Sequence, residues 1–370
     1  MKYARVIWWV NTSGLPAKRF AEFDPAPSLE WLDIFSEACY QRNDLKRFGF
    51  STLAILEQDV CFSLINRPTP YTLAPWMSLA SEGVVESVWD NVMRYLACWA
   101  LRHLNNPKLI LWVAQCGGQL HNHWVRLIET KINYFVKLER EGDTAKLDLI
   151  RSNAPDAIPD PQMRTLWRLL LSGRVKSSQD DSSFYTWKDR FERDGLTTSI
   201  RLELRDLLAP RVSLKKAFRW GDNTEDTDKP ISFIERKITS ATEHVHSELH
   251  KLTQTQDWHT TLILLFDDLQ QLLHDTLDLS KEIERADDRY DCSFLDMPSI
   301  SEHWQNRGTR NWSALIVLLR DSWLAIRNSE PERATKIAQK WFSLPYPTFK
   351  RLALFAASHD ECIDGEQWVV

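Results

Sequence analysis

The sequence predicts an all-α fold, a stacked, repeat-like (solenoid) array of helical hairpins, with one short β element near 231–236. Three observations predict it. Apolar residues recur at three- and four-residue steps along most of the chain. Helix start and stop signals (Ser or Asp caps, Pro openings, Asn-Pro and Gly ends) punctuate those runs at short intervals. Glycine is scarce, 11 in 370 residues, against 17 tryptophans, so positive-φ turns are few and bulk for helix packing is plentiful.

Taken in order, Ser28 follows Asp24-Pro25-Ala26-Pro27 and caps a helix with Leu29, Leu32, Ile34, Phe35 and Cys39 near one face. Ser51 caps a second helix, which runs to Ile65 and stops at Asn66-Arg67-Pro68-Thr69-Pro70. A longer helix covers about 84–104, with Val85, Val88, Trp89, Val92, Leu96 and Trp99 in step. Asn105-Asn106-Pro107 ends it, and Pro107 opens the next, which carries Leu109, Ile110, Trp112 and Val113.

Gly117-Gly118 breaks that helix, and another runs to about Arg140 through Leu120, Trp124, Leu127, Ile128 and Phe135. Asp160-Pro161 opens a helix with Met163, Leu166, Trp167 and Leu170, closed by Gly173. Further helices are expected at 184–193 and 198–208. Ser232–Leu252 has apolar residues at 234, 238, 241, 245, 249 and 252, a helical period, although Ile231-Ser232-Phe233-Ile234 also reads as a short strand. Segments 257–267 and 311–321 align as one repeat: a capping residue, Trp, an apolar run and a closing Asp.

The acidic, aperiodic segment 221–230 is the expected linker between a helical array at 1–220 and another at 231–370. A softer break falls at 296–310. The chain opens on an apolar segment and stops on Trp368-Val369-Val370, as a piece of a longer protein would.

Several function classes start badly. There is no G-x-G-x-x-G and no G-x-x-x-x-G-K-[ST], which disfavours a dinucleotide fold and a P-loop. A formal net charge of −5 argues against a surface that coats nucleic acid. Six scattered cysteines without a C-x-x-C pair suit a reducing cytoplasm. Val6–Val10 is too short for a signal-peptide core, and no stretch approaches a membrane span. The expected location is cytoplasmic, and no cofactor is called for.

Three constellations carry chemistry on paper. Glu243, His246 and His250 share one side of a helix and could hold a metal for a hydrolase, but the order is not H-E-x-x-H and a polar helix face gives the same letters. His121 and His123 have no local carboxylate or nucleophile, so a helix-entry pair is the better reading. Asp267, Asp268, His274, Asp275 and Asp278 interleave with leucines and read as the wet face of an amphipathic helix.

Charge is uneven. Residues 164–220 hold 13 Lys/Arg and 7 Asp/Glu, whereas 222–302 hold 7 and 19. Patches of opposite sign could pair two copies into a homo-oligomer, steer a partner, or meet within one chain. The basic stretch, with Trp167, Tyr185, Trp187 and Trp220, also admits a module for single-stranded nucleic acid, although a solvated face is the commoner explanation. Most tryptophans fall in helical apolar patterns and read as core. Arg174, Trp187, Arg219 and Trp220 in one region, and Trp304, Arg307 and Arg310 in another, are the expected partner contacts, since Trp and Arg anchor such surfaces.

Four segments together are more distinctive than any motif: 112–121 (WVAQCGGQLH), 166–174 (LWRLLLSGR), 298–306 (PSISEHWQN) and 344–355 (LPYPTFKRLALF). Over about 70–370 they resemble the helical C-terminal regions of large bacterial anti-phage defence proteins. In that family a sirtuin-like or STAND-like, nucleotide-driven effector precedes an array that senses or scaffolds. No effector motif is visible in this chain. The resemblance therefore implies a non-catalytic scaffold or sensor whose partner is an effector subunit or a phage protein.

Overall fold

The computed structural model describes residues 97, 100–116, 122–176, 183–217, 229–240, 252, 256–308 and 311–359. The helices expected before residue 97, and most of the acidic linker, lie outside them. The described chain is mostly helical with one two-stranded antiparallel sheet, as the sequence predicts.

Its helices are α1 (Pro107–Cys116), α2 (Asn122–Glu141), α3 (Thr144–Asn153), α4 (Pro161–Leu171), α5 (Ser183–Asp194) and α6 (Thr198–Leu208). Strand β1 (Pro210–Lys216) follows, then a 3-10 turn (Pro230–Phe233) and β2 (Ile234–Ser240). Next come α7 (Gln256–Glu282), the short α8 (Ser293–Asp296), α9 (Ala314–Ser329), α10 (Pro331–Ser343) and α11 (Pro347–His359). Two 3-10 turns, Trp304–Gly308 and Asn311–Ser313, precede α9.

Local chemistry sets the boundaries. Pro161 opens α4 behind Asp160, and Gly173 accepts φ +67 just past its end, where a side chain would be strained. Thr197 caps α6 by accepting the Ile200 amide at 3.3 Å, and Asp143 caps α3 through the Lys146 amide at 3.1 Å. Helix α3 has no counterpart in the sequence reading. Only Leu147 of its residues is buried, so it shows almost no apolar period.

Two other differences concern the sheet. The helical period over 232–252 gives way to a strand at 234–240, and the 231–233 part of the expected β element is a 3-10 turn. Ile234 and Ile238 are four apart and both suit a helix, but the segment is β-branched and pairs with β1, a partner that periodicity cannot see. Ala217 donates its amide to the Phe233 carbonyl at 2.9 Å, closing the ribbon at that end.

The chain divides into two compact units, neither continuous in sequence: 1–178 with 213–236, and 179–212 with 237–370. This differs from a simple division of 1–220 from 231–370, because α5 and α6 belong with the later helices and the division cuts both strands.

In the first unit Trp124 and Trp167 are fully buried, and the Trp167 indole donates to the Leu104 carbonyl at 2.7 Å. In the second, α5 packs on α6, α6 on α7, α7 on α9, α9 on α10, and α10 on α11. The two repeat-like segments are the starts of α7 and the α9 region, helices that pack directly together. One apolar core runs through this unit around Trp187, Trp258, Trp323 and Trp341. Each such ring removes roughly 200 Å² from water, about 5 kcal/mol before the cost of ordering. Of the described tryptophans, only Trp304 is exposed.

Candidate functional site

The expected contact residues fare differently. Arg174 is exposed just after Gly173. Trp187 is not a surface contact: it is 0% exposed, stacked on Phe191 with ring centroids 5.3 Å apart. Its indole donates to the Ile200 carbonyl at 2.9 Å. The 3.6-residue period of α5 turns Phe184, Trp187 and Phe191 to the same buried side, which outweighs the surrounding charge. Arg219, Trp220 and Arg310 lie outside the described residues, as do Glu243, His246 and His250 and the side chain of Arg307. Among the described residues no group of three His, Cys, Asp or Glu could hold a metal.

Trp304 is 66% exposed, and its loop is built to hold it there. Asn306 donates to the Ser299 carbonyl at 2.8 Å and to the Ser301 carbonyl at 3.0 Å, and accepts the Ser299 amide at 3.3 Å. From the other side, buried Arg320 of α9 donates to the Ile300 carbonyl at 3.0 Å. His303 Nδ1 accepts the Gln305 amide at 3.2 Å, and its ring lies 5.6 Å from the Trp304 ring. A large aromatic held out on a cross-braced loop loses little conformational freedom on binding.

The base of the loop is charged. Arg320 pairs with Asp321 at 2.7 Å. Burial lifts the Asp321 carboxyl above the ordinary carboxylate range; Arg320 opposes that shift and the nearby Glu302 adds to it. His259 also faces Asp321 and favours its charged form. Sequence reading marked Trp304 but missed Asn306, Arg320 and Asp321. Their roles depend on approach in space, although a buried arginine opening an Arg-Asp pair inside an apolar run was a visible signal.

Several basic side chains of 164–220 are already paired, each within its own unit. Arg164, 8% exposed, makes a two-pronged pair with Glu139 and donates to the Pro159 carbonyl at 2.7 Å. Arg190 pairs with Glu203, Arg193 with Asp194, and Arg201 and Arg205 both with Asp268. The opposite charges of 164–220 and 222–302 thus meet partly inside one chain. Asp268, expected on a wet face, joins α6 to α7, while the leucines of α7 are largely buried as expected.

Asp278 of α7 is structural too. Asp278 accepts from the Tyr346 hydroxyl and pairs with His274 Nδ1 at 3.0 Å. Burial and Asp278 push the Tyr346 hydroxyl up, so it stays a proton donor.

Comparison with known proteins adds one relative: the uncharacterized protein y4cA of Sinorhizobium fredii, 21% identical over 318 residues. The match covers 86% of this chain and 22% of that protein, so the chain spans about a fifth of the relative's length. No protein-family model matches the chain, and no solved structure matches it. Among the described residues no helix is long and apolar enough to cross a membrane.

Proposed function

We propose that this chain is a non-catalytic helical scaffold or sensor that docks a protein partner through the Trp304 loop, in the cytoplasm and within bacterial anti-phage defence. The partner would be an effector subunit or a phage protein. One observation carries the docking: a tryptophan, 66% exposed, on a loop braced by Asn306 and Arg320, when every other described tryptophan is buried. Exposing so large an apolar ring costs solubility and adds nothing to the fold, whereas Trp is the commonest energetic anchor of interfaces. The defence setting rests on the family resemblance of 112–121, 166–174, 298–306 and 344–355.

The test is retention of a partner by the tagged chain in its native host, with and without phage infection. Trp304→Ala should cost about 2 kcal/mol of binding, roughly 30-fold in affinity, with an unchanged melting curve. Undiminished retention by the variant, together with undiminished protection from phage, overturns the reading.

A further inference from the structure

The Trp304 loop carries a brace that depends on protonation. His303 Nδ1 accepts the Gln305 amide at 3.2 Å, a bond that straddles Trp304 itself. Only an imidazole with Nδ1 bare can accept it; an imidazolium has two donors and no acceptor, whichever way the ring is turned. Asn306 and Arg320 brace the loop differently. One is a neutral amide and the other a guanidinium that keeps its charge, and they hold the chain at Ser299, Ile300 and Ser301. The His303 ring also lies 5.6 Å from the Trp304 ring, so a proton on it sets a cation within cation–π reach of the indole.

Charged groups stand close by. Glu302 precedes His303, Arg320 and Asp321 of α9 meet the base of the loop, and His259 of α7 acts on Asp321. Arg307 belongs to the same 304–308 turn, its side chain outside the described residues. Such charges set where the proton arrives; whether an imidazolium can accept an amide does not depend on them.

Resting on the docking role of Trp304, we infer that His303 is a pH-sensitive latch on that docking: protonation releases the Gln305 amide, loosens the turn around the indole and sets the imidazolium against a ring that the partner needs. Docking is therefore strongest with His303 neutral and weakens as the solution is acidified through the imidazole range, from about pH 8 to 5.

Solvent exchange of the Gln305 amide, read by NMR on the full chain and corrected for the intrinsic rate, tests the latch without any partner. From about pH 7.5 to 5.5, protection in the wild type should fall about fivefold, the weight of one hydrogen bond, to the level that His303→Ala shows at both values. His303→Asn supplies an oxygen that accepts the amide two residues on and does not titrate, so its protection should stay level. His303 is exposed, and unchanged melting curves confirm an intact fold in both variants. Wild-type protection that does not change with pH, or that equals His303→Ala throughout, overturns the inference. A parallel fall in His303→Asn also overturns it and assigns the response to Asp321, the other group at the base of the loop placed to titrate. Either failure leaves the docking of Trp304 standing, since Trp304→Ala in the retention assay decides that separately. With a retained partner, wild-type retention should weaken about fivefold over the same range and that of His303→Asn should not; equal weakening of the two overturns the latch.

Discussion

Asp291 and Thr348 lie 57 residues apart and share one carboxylate oxygen: the Thr348 amide and hydroxyl both donate to Asp291 Oδ2 at 2.8 Å. The other oxygen accepts the Ser293 amide at 3.0 Å and its hydroxyl. All three residues are buried. The Thr348 amide belongs to the first turn of α11, where no intrahelical acceptor exists, so a carboxylate from another segment caps the helix and meets its positive end. One turn later Arg351 donates to Ser293 Oγ at 2.9 Å, tying α11 to α8 a second time.

Replacing Asp291 by Ala removes the cap and leaves Ser293 and Thr348 donors buried without acceptors. A loss of about 3–4 kcal/mol is expected. Urea melts should show the midpoint fall, and hydrogen exchange should place the largest loss of protection in the first turn of α11. Protection there equal to wild type contradicts the capping role.

The Arg164–Glu139 pair makes a prediction about acid. Arg164 holds the Glu139 carboxyl below its ordinary range, chiefly by its hydrogen bonds, with burial opposing. The unfolded chain therefore takes up the proton first. Stability from the pair is complete above the ordinary carboxylate value and is lost as pH falls through it toward the lower folded value. Glu139 is partly open to water, so Arg164→Met should cost about 2 kcal/mol at neutral pH, less than a fully buried pair. The variant should also lose less stability than wild type between about pH 5 and 3.

His103 titrates in a milder range. Burial lowers its value below 6.5, while the charge of Asp156 opposes the shift and that of Arg102 adds to it. Folding disfavours the imidazolium, so the contribution is full above pH 6.5 and is lost as the solution is acidified through that value toward the lower folded one. His103→Gln should flatten melting temperature against pH across that window. An unaltered slope would assign the effect elsewhere.

Trp187→Phe separates core from contact. The substitution deletes the indole donor to the Ile200 carbonyl and shrinks a fully buried ring. About 2 kcal/mol should be lost, from the missing indole hydrogen bond and the residual cavity together. Partner retention should stay at the wild-type level under conditions where the variant is folded.

How much of this was legible in the sequence follows from what each feature depends on. Asp160-Pro161 and Gly173 bound α4 by local rules, and they appear where the letters put them. Strand β1 depends on β2, and α3 on a single buried leucine, so neither leaves a period to read. Trp304 was legible because it stood outside any apolar pattern, and Trp187 was misread because the charges around it masked the 184–187–191 spacing. The braces on the Trp304 loop, Asn306 and Arg320, reach backbone carbonyls that no sequence pattern marks, and only the Arg320-Asp321 pair inside an apolar run left a trace.

Those braces give the sharpest prediction. If Trp304 is an anchor, removing it should leave the fold alone: its ring is mostly in water, so Trp304→Ala should shift stability by no more than about 0.5 kcal/mol. Asn306→Ala should behave differently, because three hydrogen bonds to Ser299 and Ser301 disappear from a partly buried site. It should cost about 1–2 kcal/mol of stability. It should also weaken partner binding while the indole itself is untouched, since the freed loop must be ordered again on docking, at about 0.5–1.5 kcal/mol per immobilised group. In a double-mutant cycle the loss from Asn306→Ala should vanish once Trp304 is already alanine, because the brace then has nothing to present. Additive losses would mean that Asn306 touches the partner directly or supports some other contact, and the loop would not be the platform for Trp304.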